Sequence, residues 1–130
     1  MNEEQLLKTG ERINQLFSTD IKIIQNSEVF SYSVDSVLLS RFPRFPKNGL
    51  IVDFCAGNGA VGLFASSRTK AKILSVEIQE RLADMAERSV RLNGLDGQMQ
   101  VICDDLKNMP SHIQGSKVDL ILCNPPYFKV

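Results

Sequence analysis

The residues whose type and spacing could do chemistry stand where short apolar runs stop. Leu50 to Phe54 carries Asp53 and leads into Gly57, Gly59 and Gly62, spaced G-x-G-x-x-G. Lys72 to Val76 leads into Glu77, Met99 to Cys103 into Asp104 and Asp105, and Val118 to Cys123 into Asn124-Pro125-Pro126-Tyr127. Glycines at that spacing allow a tight turn, close approach of backbone to a ligand, and close packing of a helix on the strand before it. Glu77 lies 20 residues after Gly57, where an acidic side chain can accept from both hydroxyls of a ribose. Two prolines in succession stiffen the backbone after Asn124, so its side-chain amide oxygen and the Pro125 carbonyl can offer two acceptors to one point. Two acceptors suit an NH2 group, whose hydrogens they hold while its lone pair is turned away from the conjugated ring. Tyr127 adds a flat face on which a planar substrate can stack.

The glycine pattern by itself is the dinucleotide fingerprint, and a nicotinamide or flavin site stands beside any other reading. Asp53 shifts the balance, because a carboxylate four residues before Gly57 repels a pyrophosphate at that turn and attracts an ammonium or a sulfonium. The plainer alternatives are a glycine turn with a solvated Asp53, a surface Glu77, helix-cap carboxylates at Asp104 or Asp105, and a proline turn without chemistry. Asp104 or Asp105 would lie beside an adenine ring and accept from its exocyclic amine.

The elements that must position these residues follow from periodicity. The four apolar runs read as strands, Leu50 to Phe54 as one buried on both faces, and Gly59 to Ser67 and Gln79 to Asn93 as the helices between them. Leu82, Met85, Ala86 and Val90 form one face of the second helix, with Asp84/Arg88 and Glu87/Arg91 as i,i+4 pairs on the other, and Gly94 stops it. Residues 107–117 hold Pro110, Gly115 and two serines, which leaves room for a short irregular helix at most. The alternation predicts an α/β fold with a parallel sheet and right-handed crossovers. Upstream, Glu3 to Phe17 has apolar residues at roughly helical spacing, interrupted by Gly10. Ile21 to Ile24 and Val29 to Tyr32 predict a hairpin, and Ser33 to Phe42 a helix ended by Pro43. The expected organisation is residues 1–49 as helix, hairpin and cover helix, and 50–130 as the core.

With 130 residues, 15 basic and 15 acidic side chains and no net charge, the chain fits one domain and has no global basic field, although a local basic patch remains open. An acidic start without a long apolar run predicts neither signal peptide nor membrane span, hence a cytoplasmic protein. Cys55, Cys103 and Cys123 are too far apart for a C-x-x-C site and are expected to be buried small hydrophobes, with Cys55 near the ligand; His112 is expected in a solvated loop, and no metal is implied.

V-D-F-C-A-G-N-G (Val52 to Gly59) resembles the first motif of class I S-adenosylmethionine (SAM)-dependent methyltransferases, and N-P-P-Y resembles the fourth motif of those acting on adenine N6, guanine N2 or the glutamine amide. Together with F-S-Y-S-V-D-S-V-L-L-S (Phe30 to Ser40), Glu77 and R-L-N-G-L (Arg91 to Leu95), the chain from about Leu16 onward resembles the bacterial family that methylates N6 of adenine 37 in a valine tRNA. That resemblance implies a Rossmann-like fold with strand order 3-2-1-4, here ending after the fourth strand where family members continue to a seven-stranded sheet, so an N-terminal fragment is expected. It implies that Asp53, Gly57, Gly59, Glu77 and Asp105 hold SAM, that Asp35 lies near its methionine end, and that Asn124, Pro125 and Tyr127 hold the adenine. Glutamine and guanine amino-methyltransferases are the near alternatives; a nicotinamide-dependent oxidoreductase and a non-catalytic nucleotide-binding module are the distant ones. A tRNA is the implied partner, and the open side of the fourth strand implies self-association.

Overall fold

Each of the four apolar runs becomes a strand of one parallel sheet, buried between two layers at the two central strands and partly exposed at the two outer ones. The computed structural model describes residues 3–16, 19–26 and 44–123. Their elements are β1 (Arg12–Gln15), β2 (Lys22–Gln25), β3 (Leu50–Phe54), α1 (Ala60–Ser66), β4 (Lys72–Glu77), α2 (Glu80–Leu92), β5 (Met99–Cys103), a 3-10 turn (Leu106–Asn108), α3 (Met109–Ile113) and β6 (Leu120–Cys123). The sheet runs β5-β4-β3-β6 with every pairing parallel, which is the expected order. Ile51 faces Ile73 and Leu120 across the ladder, and Phe54 faces Val76 and Cys123.

Successive strand residues point to opposite faces, so Ile51 and Ile73 join α1 and Val90 of α2 in one core layer, while Val52, Leu74 and Val76 meet Met109 on the other side. Gly62 lets α1 lie directly on the sheet. A Cβ there would sit 2.8 Å from both the Met99 Cε and the Ser75 Oγ.

The N-terminal segment departs from expectation. The described part of the expected helix, Glu3 to Leu16, is not helical throughout: a 3-10 turn at Glu3–Leu6 is followed by Gly10 at φ +80 and then by β1. β1 pairs antiparallel with β2, from Arg12↔Gln25 to Gln15↔Lys22. The partner of β2 therefore lies upstream of it; Val29 to Tyr32 and the expected helix from Ser33 to Phe42 lie outside the described residues. The reason is tertiary. Ile24, Leu82 and Met85 form a separate buried cluster with Leu6, Leu7 and Ile13, so the hairpin covers the part of α2 that the sheet does not. Backbone bonds clamp it there, with Ile24 N donating to Ser89 Oγ (2.9 Å) and Lys22 N to Asn93 Oδ1 (2.8 Å).

Arg88 also breaks the simple two-faced picture of α2. It is 5% exposed, its Nη2 donates to Glu11 Oε2 at 2.7 Å and its Nη1 to the Leu6 carbonyl at 2.7 Å, while Nε keeps the expected bond to Asp84 (3.0 Å). The ion pair with Glu11 ties the hairpin to α2 from the inside.

Candidate functional site

In a parallel sheet all carboxyl ends share one edge, and the register collects Asp53, Glu77, Asp104 and Asp105 there. The glycine turn leaves β3 through Cys55, whose φ of +59 is rare for a residue with a side chain, and continues through Gly57 (φ +59) and Gly59 (φ +91). Ala56 N donates to the Val76 carbonyl (2.9 Å) and Gly59 N to the Ala56 carbonyl (2.9 Å), which curls the turn over the end of β4. A Cβ on Gly59 would stand 3.1 Å from the Ala86 Cβ, so that glycine also sets the approach of α1 to α2.

Glu77 holds this turn. Its Oε1 accepts from Gly57 N (2.7 Å) and its Oε2 from Gln79 N (2.9 Å), so one carboxylate joins the glycine turn to the start of α2. Each oxygen retains a further lone pair for a ligand hydroxyl. Asp53 is different in kind. It is 1% exposed, its Oδ2 has no hydrogen-bond partner, and burial, with the charge of Glu77 adding to it, pushes its carboxyl up to about 8. At neutral pH it is mostly a neutral acid waiting on a group that would stabilise its anion.

Beyond β5 the two aspartates divide their tasks. Asp104 Oδ1 accepts from Asp105 N and Asn108 Nδ2 (2.7 Å each), and its Oδ2 lies 2.8 Å from His112 Nε2. These bonds, that of His112 first, hold its carboxyl down at about 2. Asp105 caps the 3-10 turn through Oδ1, which accepts from Lys107 N (3.0 Å). His112 is exposed as expected, but it is not in a loop. It sits in the last turn of α3 and helps to pin α3 to the end of β5.

The thiols also depart from expectation, since Cys55 is half-buried and Cys103 and Cys123 are exposed. Cys103 and Cys123 are the last residues of β5 and β6, and Cys55 is the first residue after β3. Burial nonetheless pushes the Cys55 thiol up, with the neighbouring Cys123 adding to it. Among the described residues no cluster of His, Cys, Asp and Glu could hold a metal ion.

Two residues at this edge were not singled out by the sequence, Ile78 and Asn58. Ile78, like Leu106, is large, apolar and exposed, at 61% and 42%; each directly follows a strand-end carboxylate, and that pairing was the available signal for Ile78. Asn58, within the glycine turn, is fully buried and donates through Nδ2 to the Ile24 carbonyl (3.1 Å), which fastens the turn to β2; nothing local in the sequence announces it. Asp35, Asn124, Pro125 and Tyr127 lie outside the described residues. A cavity of about 430 Å³ between Leu74, Ile102, His112 and Ile113 lies on the α3 side of the sheet and includes none of the expected site residues.

Residues 20–129 match the family described as methyltransferase small domain. The chain is 31% identical over 96 residues to the tRNA1(Val) (adenine(37)-N6)-methyltransferase of Shewanella halifaxensis, covering 74% of this chain and 39% of that protein. It is 29% identical over 94 residues to the protein of the same name from Bacteroides fragilis, covering 72% and 40%. The chain thus spans about two fifths of the length of these relatives. Among solved structures, Pyrococcus horikoshii TYW2 in complex with MeSAdo superimposes with a TM-score of 0.65 at 18% identity, over 78% of this chain and 38% of that one. That likeness establishes a Rossmann-like methyltransferase fold. Among the described residues no helix is long and apolar enough to cross a membrane.

Proposed function

The chain belongs to the methyltransferase small domain family, and from that premise we propose that it is a SAM-dependent methyltransferase acting on an exocyclic amine, specifically N6 of an adenine in a cytoplasmic tRNA. The observation that carries the reading is Asp53: a carboxyl sealed from water, with one oxygen unpartnered, beside the turn that Glu77 holds. Such a group has little use for a pyrophosphate and gains a partner from a cation. SAM offers an ammonium, and its product S-adenosylhomocysteine keeps it.

On this reading Asp53 faces the ammonium, with Asp35 near the same methionine end. The glycine turn through Gly57 and Gly59 lets the backbone approach the ligand, and Glu77 accepts from the ribose hydroxyls with its remaining lone pairs. Asp105, engaged through Oδ1, accepts from the exocyclic amine of the cofactor's adenine. Ile78 and Leu106 give that ring apolar contact. Asp104 stays with α3 and keeps Asp105 in place.

When bound, SAM supplies a methyl group on a positively charged sulfur, open to in-line displacement by an amine lone pair. The chain's own part is positioning. Asn124 and the Pro125 carbonyl accept the two hydrogens of the target NH2 and point its lone pair at the methyl group, and Tyr127 stacks on the target ring. No strong base is required, because the nitrogen sheds its proton readily once alkylated.

Calorimetric titration with S-adenosylhomocysteine and with NAD tests the cofactor assignment; binding of NAD and not of S-adenosylhomocysteine would overturn it. Labelled SAM on total tRNA, followed by mapping of the modified base, tests the substrate. A methylated guanine N2, or transfer to a protein glutamine instead, would move the chain to one of the neighbouring specificities.

A further inference from the structure

A chain with no net charge can still sort its charges in space, and this one sorts them along the strand axis. The carboxyl edge of the sheet carries Asp53, Glu77, Asp104 and Asp105. At the amino edge two separate segments meet. Lys72 N donates to the Gly49 carbonyl (2.8 Å), Thr69 Oγ1 donates to the Pro46 carbonyl, and the Arg68 guanidinium lies 5.9 Å from the centre of the Phe45 ring. These contacts bring Arg44 and Lys47 together with Arg68 and Lys70, all four exposed, and none forms an ion pair among the described residues. Two acids also reach this edge: Asp119, engaged by Leu50 N (2.9 Å) and by Lys117, and the exposed Asp96, in the loop whose Gly97 carbonyl accepts from Lys72 Nζ.

Simple structural reasons account for only part of this. Arg68 and Lys70 follow the end of α1, where a cation is favoured by the helix carbonyls. Arg44 and Lys47 belong to a different segment and have no such excuse. The strand between the two edges is five residues long, about 16 Å, which exceeds the screening length of about 10 Å at 0.1 M salt. The basic edge therefore acts on solution with little cancellation from the acidic one.

We infer that Arg44, Lys47, Arg68 and Lys70 form a docking surface for the phosphate backbone of the RNA whose base is presented at the opposite, carboxylate-lined edge. This rests on the tRNA reading and adds to it a place. An edge lined by carboxylates repels phosphates, so an RNA that inserts a base there has to be held by its backbone somewhere else. Exposed Arg and Lys on two braced segments supply such contacts without reading sequence.

The test is fluorescence anisotropy of labelled unfractionated tRNA over a series of salt concentrations, for the wild-type chain and for the variant R44A/K47A/R68A/K70A. A second variant, R44A/K47A/K70A, leaves the Arg68 contact with Phe45 intact. Affinity at 0.1 M salt is expected to fall at least tenfold in the quadruple variant. The slope of log K against log salt should become shallower by about 2 to 3 in the quadruple variant and about 2 in the triple, as expected when that many phosphate contacts are lost. Binding of S-adenosylhomocysteine and the thermal melt should not change. Wild-type binding of tRNA with both variants unchanged in affinity and slope would overturn the docking surface alone. A wild-type chain that does not bind tRNA would overturn the tRNA reading and this surface with it. Retention of the wild type on phosphatidylserine vesicles, lost in the variants and without any tRNA binding, would reassign the patch to a membrane surface.

Discussion

Cofactor binding should move protons, and the direction should reverse with pH. Asp53 is held as an acid with its pKa at about 8, so at pH 7 it carries about 0.9 of a proton. The α-amino group of S-adenosylhomocysteine, with an ordinary pKa of about 7.8, carries about 0.86 at the same pH. An ammonium paired with a carboxylate keeps one proton between them. Binding at pH 7 should therefore release about 0.8 proton. At pH 9 the free partners hold only about 0.15 between them, and binding should take up about 0.85. The crossover falls near pH 7.9 by the same reasoning.

The assay is calorimetry in phosphate and in Tris at each pH, where the slope of observed enthalpy against buffer ionisation enthalpy counts the protons. If Asp53 had an ordinary carboxylate pKa, binding at pH 7 would instead take up about 0.1 proton. Asp53→Asn should show that small uptake and no release, with weaker binding. Absence of any buffer dependence in the wild type at pH 6.5 would mean that no cation approaches Asp53, and the assignment of its partner would be wrong.

The same carboxyl affects stability. Because its folded pKa is raised, its contribution is fully present below about pH 4 and is lost as pH rises through about 8, at about 1.4 kcal/mol per pH unit in between. Asp53→Asn should then be more stable than wild type by a few kcal/mol at pH 7.5 and no more stable at pH 4, by urea denaturation; an unchanged gap would contradict the burial argument. Glu77→Ala leaves the Gly57 and Gln79 amides without their acceptor, and cofactor affinity should fall by about 1.5 to 3 kcal/mol. A calorimetric change of only a few tenths would remove Glu77 from the site. Arg88→Ala strands the buried Glu11 carboxylate and should cost about 3 to 5 kcal/mol of folding stability at pH 7. The hydrogen bond from Arg88 holds Glu11 below its usual pKa, so that contribution should be present at pH 7 and shrink as pH falls below the carboxylate range; equal destabilisation at pH 7 and pH 3 would count against the pair. Finally, β6 has no strand on its outer side among the described residues, and Ile121 on it is 56% exposed. The chain should self-associate at high concentration, and a strict monomer by size exclusion with light scattering would show that this edge is protected.

Local pattern alone determined the sheet and its edge. Leu50 to Phe54 and Lys72 to Glu77 are apolar on both faces, a pattern that has few homes outside a parallel sheet with helices on both sides. Once those strands are parallel, Asp53, Glu77 and the Asp104-Asp105 pair must share an edge, because parallel strands end together. The steric need at Gly62 was legible for the same reason: it concerns a helix meeting the strand that precedes it.

What the tertiary structure decided concerns partners distant in sequence. Leu6, Leu7 and Ile13 have helical spacing, yet a second buried surface on α2, made by Leu82 and Met85, is better covered by a hairpin, and burial outweighs a weak local propensity. Arg88 reads as one end of an i,i+4 pair, and only the approach of Glu11 from 77 residues away makes it a buried anchor. His112 finds Asp104 only when α3 folds back against the end of β5. Asp53 is the most telling case. Its position was evident from the strand, but its protonation depends on how completely β4 and β6, pairing on either side of it, shut out water. A sequence lists a carboxylate there, whereas packing determines whether it is a charge or an acid.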